Sequence, residues 1–426
     1  MSASLKAAQI IRCINAGISC LASTFIMFMI LTEPEKGLAS PYSRIIFAMS
    51  ISDILFSCGL FFSPFMSPKD NPDALFAIGT TGSCEAIGFI FILGYISIMF
   101  FTVFLTYYFM RRIKYKVTPQ NFAKKEENYF RVVLCFIALF MAISNLATGS
   151  INSQAYGSLC VPQPYPEGCD KSPEMTCERG DGKLTKIWNV FGIFFGVSSF
   201  IGLIVILALT VHHVYKEERT FTLPAREIGN TNRCRIGNAD RNDLQRQEGI
   251  ECATQNQMLL TKQALHQSLL YILAFCVVYL PILIANIQKK FFNEIKEPEW
   301  RFWFISLLSP LGGVFNILIY TRPKVMKMKE SYPNTHVFRI FLVIVLTGGE
   351  IPSIADLRVK QSDENDQQNN DRFNEEEGNS QDFFDDMLSY DLDISDASNA
   401  LDEFNNSSSF SWFSMIFGHL SYESNE

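Results

Sequence analysis

At 426 residues the chain has the length of two or three soluble domains. Its 48% hydrophobic content, with 38 phenylalanines, is instead gathered into long apolar runs, which excludes that organisation. The net charge of −7 comes from the C-terminal tail, so it implies no acidic or basic partner for the apolar part and nothing points to nucleic acid.

Residues 1–12 form a short head without the pattern of a cleavable signal peptide, and the apolar run behind them is long enough to stay as a span. Seven such runs follow, at roughly 13–32, 45–66, 85–110, 132–151, 187–211, 264–288 and 302–321. About 20 apolar residues cross the hydrocarbon core as a helix, and in lipid a helix satisfies its own backbone. The expectation is an all-α membrane protein, a seven-transmembrane helix bundle over 13–321. A short amphipathic helix follows helix 7 and a disordered acidic tail ends the chain.

Orientation follows from Lys and Arg in the connections. With the N-terminus outside, segments 1–12, 67–83, 152–186 and 289–301 carry 11 of them. The inner segments 33–44, 111–131, 212–263 and 322–330 carry 21. This places the chain as a multi-pass protein of the plasma membrane, N-terminus outside and C-terminus cytosolic. Four of the eleven cysteines then lie outside: Cys84, Cys160, Cys169 and Cys177. An even number in an oxidising compartment implies two disulfides with three possible connectivities. The pairing expected is Cys84–Cys177, tying helix 3 to the loop near helix 5, with Cys160–Cys169 closing a Pro-rich loop.

The third inner loop, 212–263, is long and polar, with Arg226, Arg233, Arg235, Arg241 and Arg246 among Asn, Gln and Gly, and is expected to be poorly ordered. The juxtamembrane region 322–347 carries two amphipathic segments. Lys324, Lys327 and Lys329 suit a helix along the cytosolic interface, reaching anionic membrane lipids. The run 337–346 makes only about 15 Å of helix, too short for an eighth span. From 348 to 426 the chain is a cytosolic tail, with 15 acidic residues and one basic residue between Gln361 and Glu403. Its apolar islands 383–388 and 410–417 fit docking into a partner's groove or a weakly collapsed tail. No cysteine in it offers palmitoylation, and Asn405 and Asn406 stand in sequons that a cytosolic tail would leave unused.

Ionisable residues inside spans are expensive and point to function. Glu85 sits at the outer mouth of helix 3. Asp53, in the middle of helix 2, needs a partner or a proton, and Asn316 in helix 7 is the best candidate, with Ser50 and Ser57 a turn to either side.

Three patterns resemble G-protein-coupled receptors. Helix 2 has the lone Asp53 after Ser50-Ile51-Ser52. Helix 6 reads Phe275-Cys276-Val277-Val278-Tyr279-Leu280-Pro281, similar to a Phe-x-x-x-aromatic-x-Pro switch. Helix 7 reads Asn316-Ile317-Leu318-Ile319-Tyr320, similar to Asn-Pro-x-x-Tyr with Ile317 in place of proline. The run Pro310–Asn316 through Arg322-Pro323 resembles the cyclic-AMP-receptor-like receptors of protists and fungi, and the likeness covers the bundle, about three quarters of the chain. Two departures stand out. Arg111 has no acidic neighbour, so the ionic latch of rhodopsin-like receptors is not carried over, and helix 1 lacks a Gly-Asn pair. The resemblance therefore implies the superfamily and not the rhodopsin-like class.

The residues fit such a receptor on physical grounds. Pro281 removes a backbone hydrogen bond and gives helix 6 a hinge. Tyr279 can change rotamer with a ligand, and Asp53, Asn316 and Tyr320, together with Phe275, offer a switch network. Outward movement of helix 6 opens a cleft lined by Arg111, Arg112 and Lys114 for a heterotrimeric G protein. Plainer explanations exist: proline is common in membrane helices, Asn316 can staple helices, and Arg111–Arg112 can be topology signals.

Rival functions fare worse. A retinal protein needs a lysine in its last span, and Phe302–Tyr320 has none. The five histidines, His212, His213, His266, His336 and His419, fall at helix ends or in soluble parts, against a metal hydrolase. A transporter would show repeats or several intramembrane charges. The reading is a receptor, not an enzyme, without cofactor or metal, that senses an extracellular ligand. The alternative is a scaffold or transporter of the same topology. Glu85, Phe302 and Trp303 are candidate ligand-lining residues. Ser395, Ser398 and Ser407 to Ser409 are candidate phosphorylation sites for a kinase or arrestin-like regulator that binds the tail.

Overall fold

The computed structural model describes residues 3–33, 37–69, 71, 76–154, 158–166, 169, 176–180, 182–228, 241–291, 299–333 and 335–347. The expectations for the acidic tail, its serines, its apolar islands and its sequons lie outside these residues. The chain divides into two compact units, 1–321 with 345–349, and 322–344 with 350–426.

The first unit is the bundle. Its helices are α1 (Ala3–Thr32), α2 (Pro41–Met66), α3 (Thr81–Lys114), α4 (Pro119–Ala147), α5 (Gly182–Ile228), α6 (Arg241–Phe291) and α7 (Phe302–Ser331), the last continuing into the second unit. All seven contain a stretch long and apolar enough to cross a membrane. The protein is a multi-pass seven-helix membrane bundle. Local chemistry sets several helix starts. Ser40 caps α2 through the Ser43 amide with Pro41 at the first helical position, and Thr80 with Ser83 forms a capping box on α3. Thr118 and Pro119 start α4 in the same way, and a π-helical turn at Ala123–Glu127 follows.

α2 and α3 are the interior of the bundle: 56% of the central window of each is buried, against 22% in α4 and α5. They touch backbone to backbone, since a methyl group on Gly94 would stand 2.4 Å from the Phe56 amide nitrogen. A side chain there would force the two helices apart.

Several helices run past the bounds expected from the apolar runs. Residues 3–12, expected as a head before the first span, are the first turns of α1. Their Ala, Leu and Ile residues extend an existing helix at little cost. Within the inner segment 212–263, α5 runs to Ile228 and α6 starts at Arg241, because good helix formers such as Glu, Lys, Gln and Leu propagate a helix beyond the lipid. Residues 322–331 belong to the helix of Asn316, with Pro323 inside it, and a short separate helix follows them. In the second unit, Lys329 Nζ donates to the carbonyls of Pro333 and Thr335, 2.5 and 2.8 Å away, and closes the turn before α8 (Val337–Leu346).

Candidate functional site

One end of the bundle carries a β-hairpin, β1 (Ile151–Ser153) paired antiparallel with β2 (Cys160–Pro162). It is seated from below by Gly88 of α3, where a methyl group would stand 2.3 Å from Ile151 Cγ2 and 2.9 Å from the Cys160 carbonyl oxygen. The Cys160 amide donates to Ser63 Oγ of α2 (2.7 Å), and Gln9 Nε2 of α1 donates to Ser158 Oγ (3.2 Å). Leu159 packs against the central apolar cluster that holds Phe56, Leu60, Tyr279 and Leu283.

This seat decides the disulfides, and the expected pairing is corrected. Cys84 bonds Cys160, and Cys169 bonds Cys177. The hairpin register lays Cys160 over the first turn of α3, with Cα atoms 5.4 Å apart, so Cys177 is left to close a short separate loop. Glu85 forms an ion pair with Arg179. Trp303 Nε1 donates to Ser4 Oγ (2.7 Å), and the Phe302 ring lies 5.9 Å from the guanidinium carbon of Arg12, so both of these α7 residues meet α1. Arg12 is 1% exposed, a buried cation that reading 1–12 as a head overlooked.

In the middle of the bundle, Asn316 Nδ2 donates to Asp53 Oδ2 over 2.5 Å. Gly312 lies one helical turn before Asn316, and a methyl group there would be 3.3 Å from both Asp53 Oδ1 and Tyr279 Oη. Asp53 and the Tyr279 ring thus face one small space. The Tyr279 hydroxyl and Ser50 Oγ are buried and have no hydrogen-bond partner among the described residues. Tyr279 also sits among aromatic rings, with Phe275 at 4.9 Å, Phe56 at 6.0 Å and Tyr95 at 6.2 Å between centroids. Phe275 in turn meets Phe200 of α5 at 4.9 Å. Pro281 lies within α6, two residues beyond Tyr279. A cavity of about 20 Å³ adjoins Thr102, Tyr271, Phe275, Tyr279, Gly312 and Asn316, room for a single water molecule.

Tyr320 makes its ring contact nearer the basic end. Its ring stacks on Tyr42 at 6.4 Å, and Tyr42 accepts from Gln267 Nε2 (2.7 Å) and pairs with the Tyr271 hydroxyl (3.4 Å). The contacts around Tyr279 and those around Tyr42 form two clusters that meet at one cavity, which Tyr271 and Asn316 both line. Gln267, Tyr271, Phe275, Tyr279 and Leu283 recur every four residues along α6 and carry it past both clusters. That recurrence was legible in the sequence; Tyr42 gave no such sign.

At the opposite, basic end, Arg111 ion-pairs with Glu126, which also accepts from Tyr107 Oη (2.8 Å). Glu127, the next residue, accepts from Nε and Nη2 of Arg44, each at 2.6 Å, and its side chain is only 3% exposed. The π-helical turn lets consecutive glutamates serve α3 and α2 separately, and Phe122, fully buried among Phe104, Tyr107 and Tyr108, fixes the turn. Arg112 donates to the Val117 carbonyl (3.2 Å), and Lys114 Nζ lies 5.2 Å from the centre of the Tyr115 ring. Arg111 thus lacks an acidic neighbour in sequence yet has one in space.

No protein-family model matches the sequence, and no curated protein is similar to it. Among solved structures the fold is similar to the crystal structure of squid rhodopsin. The TM-score is 0.50 at 12% identity, with 82% of this chain and 92% of that chain covered. By fold the protein is a rhodopsin-like seven-helix membrane bundle.

Proposed function

We propose that the chain is a G-protein-coupled receptor. It senses an extracellular ligand at the hairpin end and promotes nucleotide exchange on a heterotrimeric G protein at the basic end. One observation carries this reading: the buried Asp53–Asn316 hydrogen bond lies beside Tyr279, which stands on the helix that contains Pro281. A polar pair with two possible arrangements next to a hinged helix is the physical makeup of a two-state switch.

Two disulfides at the hairpin end fit an oxidising compartment, and the excess of Lys and Arg at the other end fits the cytosol, which supports a plasma-membrane protein with its N-terminus outside. The hairpin covers the bundle, so a ligand acts through it, with Leu159 passing the displacement to the cluster around Tyr279. Arg111, Arg112 and Lys114 meet the G protein once Arg111 leaves Glu126. The run Pro310–Asn316 supports the cyclic-AMP-receptor-like subclass. Signalling is the whole activity, without catalysis. Ser395, Ser398 and Ser407 to Ser409 take phosphate from a kinase and so recruit an arrestin-like regulator, while the exposed Lys327 contacts anionic lipid.

The test is guanine-nucleotide exchange on G proteins from the native organism, in membranes with and without the chain, across fractionated extracts. Acceleration lost in Tyr279→Ala or Arg111→Ala is the expected result. No acceleration from any fraction, with the chain correctly at the surface, favours a scaffold or transporter.

A further inference from the structure

The basic ends of α2, α6 and α7 meet through neutral groups. Tyr42 follows Pro41 at the start of α2, where the N-cap and the fixed proline φ set the direction in which the helix leaves the turn. From there its hydroxyl accepts from Gln267 Nε2 (2.7 Å) and lies 3.4 Å from the Tyr271 hydroxyl. Gln267 and Tyr271 are one turn apart, so both contacts grip the same face of α6. The Tyr42 ring is itself held, stacked on Tyr320 of α7 at 6.4 Å and tilted against Phe109 of α3 at 5.9 Å. The ion pairs of Arg44 and Arg111 at this end both go to α4, whereas Tyr42 reaches α6 through a phenol and an amide.

We propose that Tyr42 is a positioning residue that holds the basic end of α6 against α2 and α7. The state that admits a G protein is then reached when the Tyr42–Gln267 hydrogen bond breaks. The neutral chemistry suits this role. One uncharged hydrogen bond shifts an equilibrium by roughly two- to tenfold, enough to bias α6 inward and little enough for a ligand to reverse. The receptor reading supplies only the output of this latch; the latch itself concerns α6 and α2.

Hydrogen-exchange mass spectrometry of the full chain in lipid nanodiscs, without G protein, tests it directly. Tyr42→Phe keeps the ring and its stacking and removes only the hydroxyl, and Gln267→Leu removes the donor from the other side. Each is expected to speed amide exchange in residues 261–271 by roughly two- to tenfold, the effect of one hydrogen bond. Exchange in α3 should stay unchanged, and the double variant should go no faster than Tyr42→Phe alone, which already removes the hydroxyl that meets both Gln267 and Tyr271. A merely structural role would raise exchange throughout the bundle. Unchanged protection of 261–271 in both variants, or fully additive effects in the double variant, overturns the proposal. With the same variants, ligand-independent nucleotide exchange should rise. Faster amide exchange without any nucleotide response upholds the latch and counts against the receptor reading.

Discussion

The two ends of the bundle are closed by different kinds of bond. At the hairpin end a strand is tied to α3 by a disulfide, set into α3 at Gly88, and bonded through its backbone to Ser63. At the basic end the helices are tied to one another by side-chain pairs: Tyr42 with Gln267 and Tyr271, Arg111 with Glu126, Arg44 with Glu127. Covalent and backbone ties survive small rearrangements, while side-chain pairs exchange partners. The contrast assigns anchorage to one end and motion to the other, with Pro281 on the helix that spans them.

The largest effect that could break this contrast comes from Cys84→Ser. Loss of the disulfide should lower stability by about 2–5 kcal/mol. Thermal melting of the purified protein checks it, and an unchanged Tm would remove the anchor from the hairpin end. Asp53→Ala comes next. It leaves Asn316 Nδ2 without its acceptor in the interior, a loss of about 1–3 kcal/mol with impaired signalling. A normal melting curve and normal dose-response would show that this pair is not the switch.

Glu126→Gln sharpens the comparison from the other end. The pair is partly exposed, with side chains 16% and 25% accessible, so the stability change should stay below about 1 kcal/mol while nucleotide exchange without ligand rises. A loss as large as that of Cys84→Ser would make the basic end as fixed as the hairpin end. The smallest effect concerns Cys20 and Cys58, whose sulfurs are 4.0 Å apart across α1 and α2. A mild oxidant should join them, and peptide mapping should find the bridge with the melting temperature hardly changed. Failure to cross-link would place α1 differently against the interior helices.

The seven spans were legible because lipid demands apolar length, and a buried carboxylate facing an amide was legible because Asp53 in hydrocarbon requires a donor. The true helix lengths were not, since polar turns beyond the lipid carry no apolar signal and only helix propensity favours them. Cysteine spacing left three pairings open, and the choice fell to the register of a hairpin that three-residue strands do not announce. Glu126 and Glu127 carry no mark in the sequence as partners of Arg111 and Arg44, because a π-helical turn of the next helix, and not a neighbour in the chain, supplies them. Tyr42 and Gln267 are unremarkable as letters; only the fold brings the start of α2 to α6.

The four-residue recurrence along α6 has a mechanical consequence. Four residues exceed one helical turn, so each step advances roughly 40° around the axis, and the row from Gln267 to Leu283 winds through roughly 160°. A row that spirals this way works like the lobes of a camshaft. A few degrees of axial rotation would withdraw Gln267 from Tyr42 and shift Tyr279 beside Asp53 in the same stroke, with no swing of the helix needed to start it.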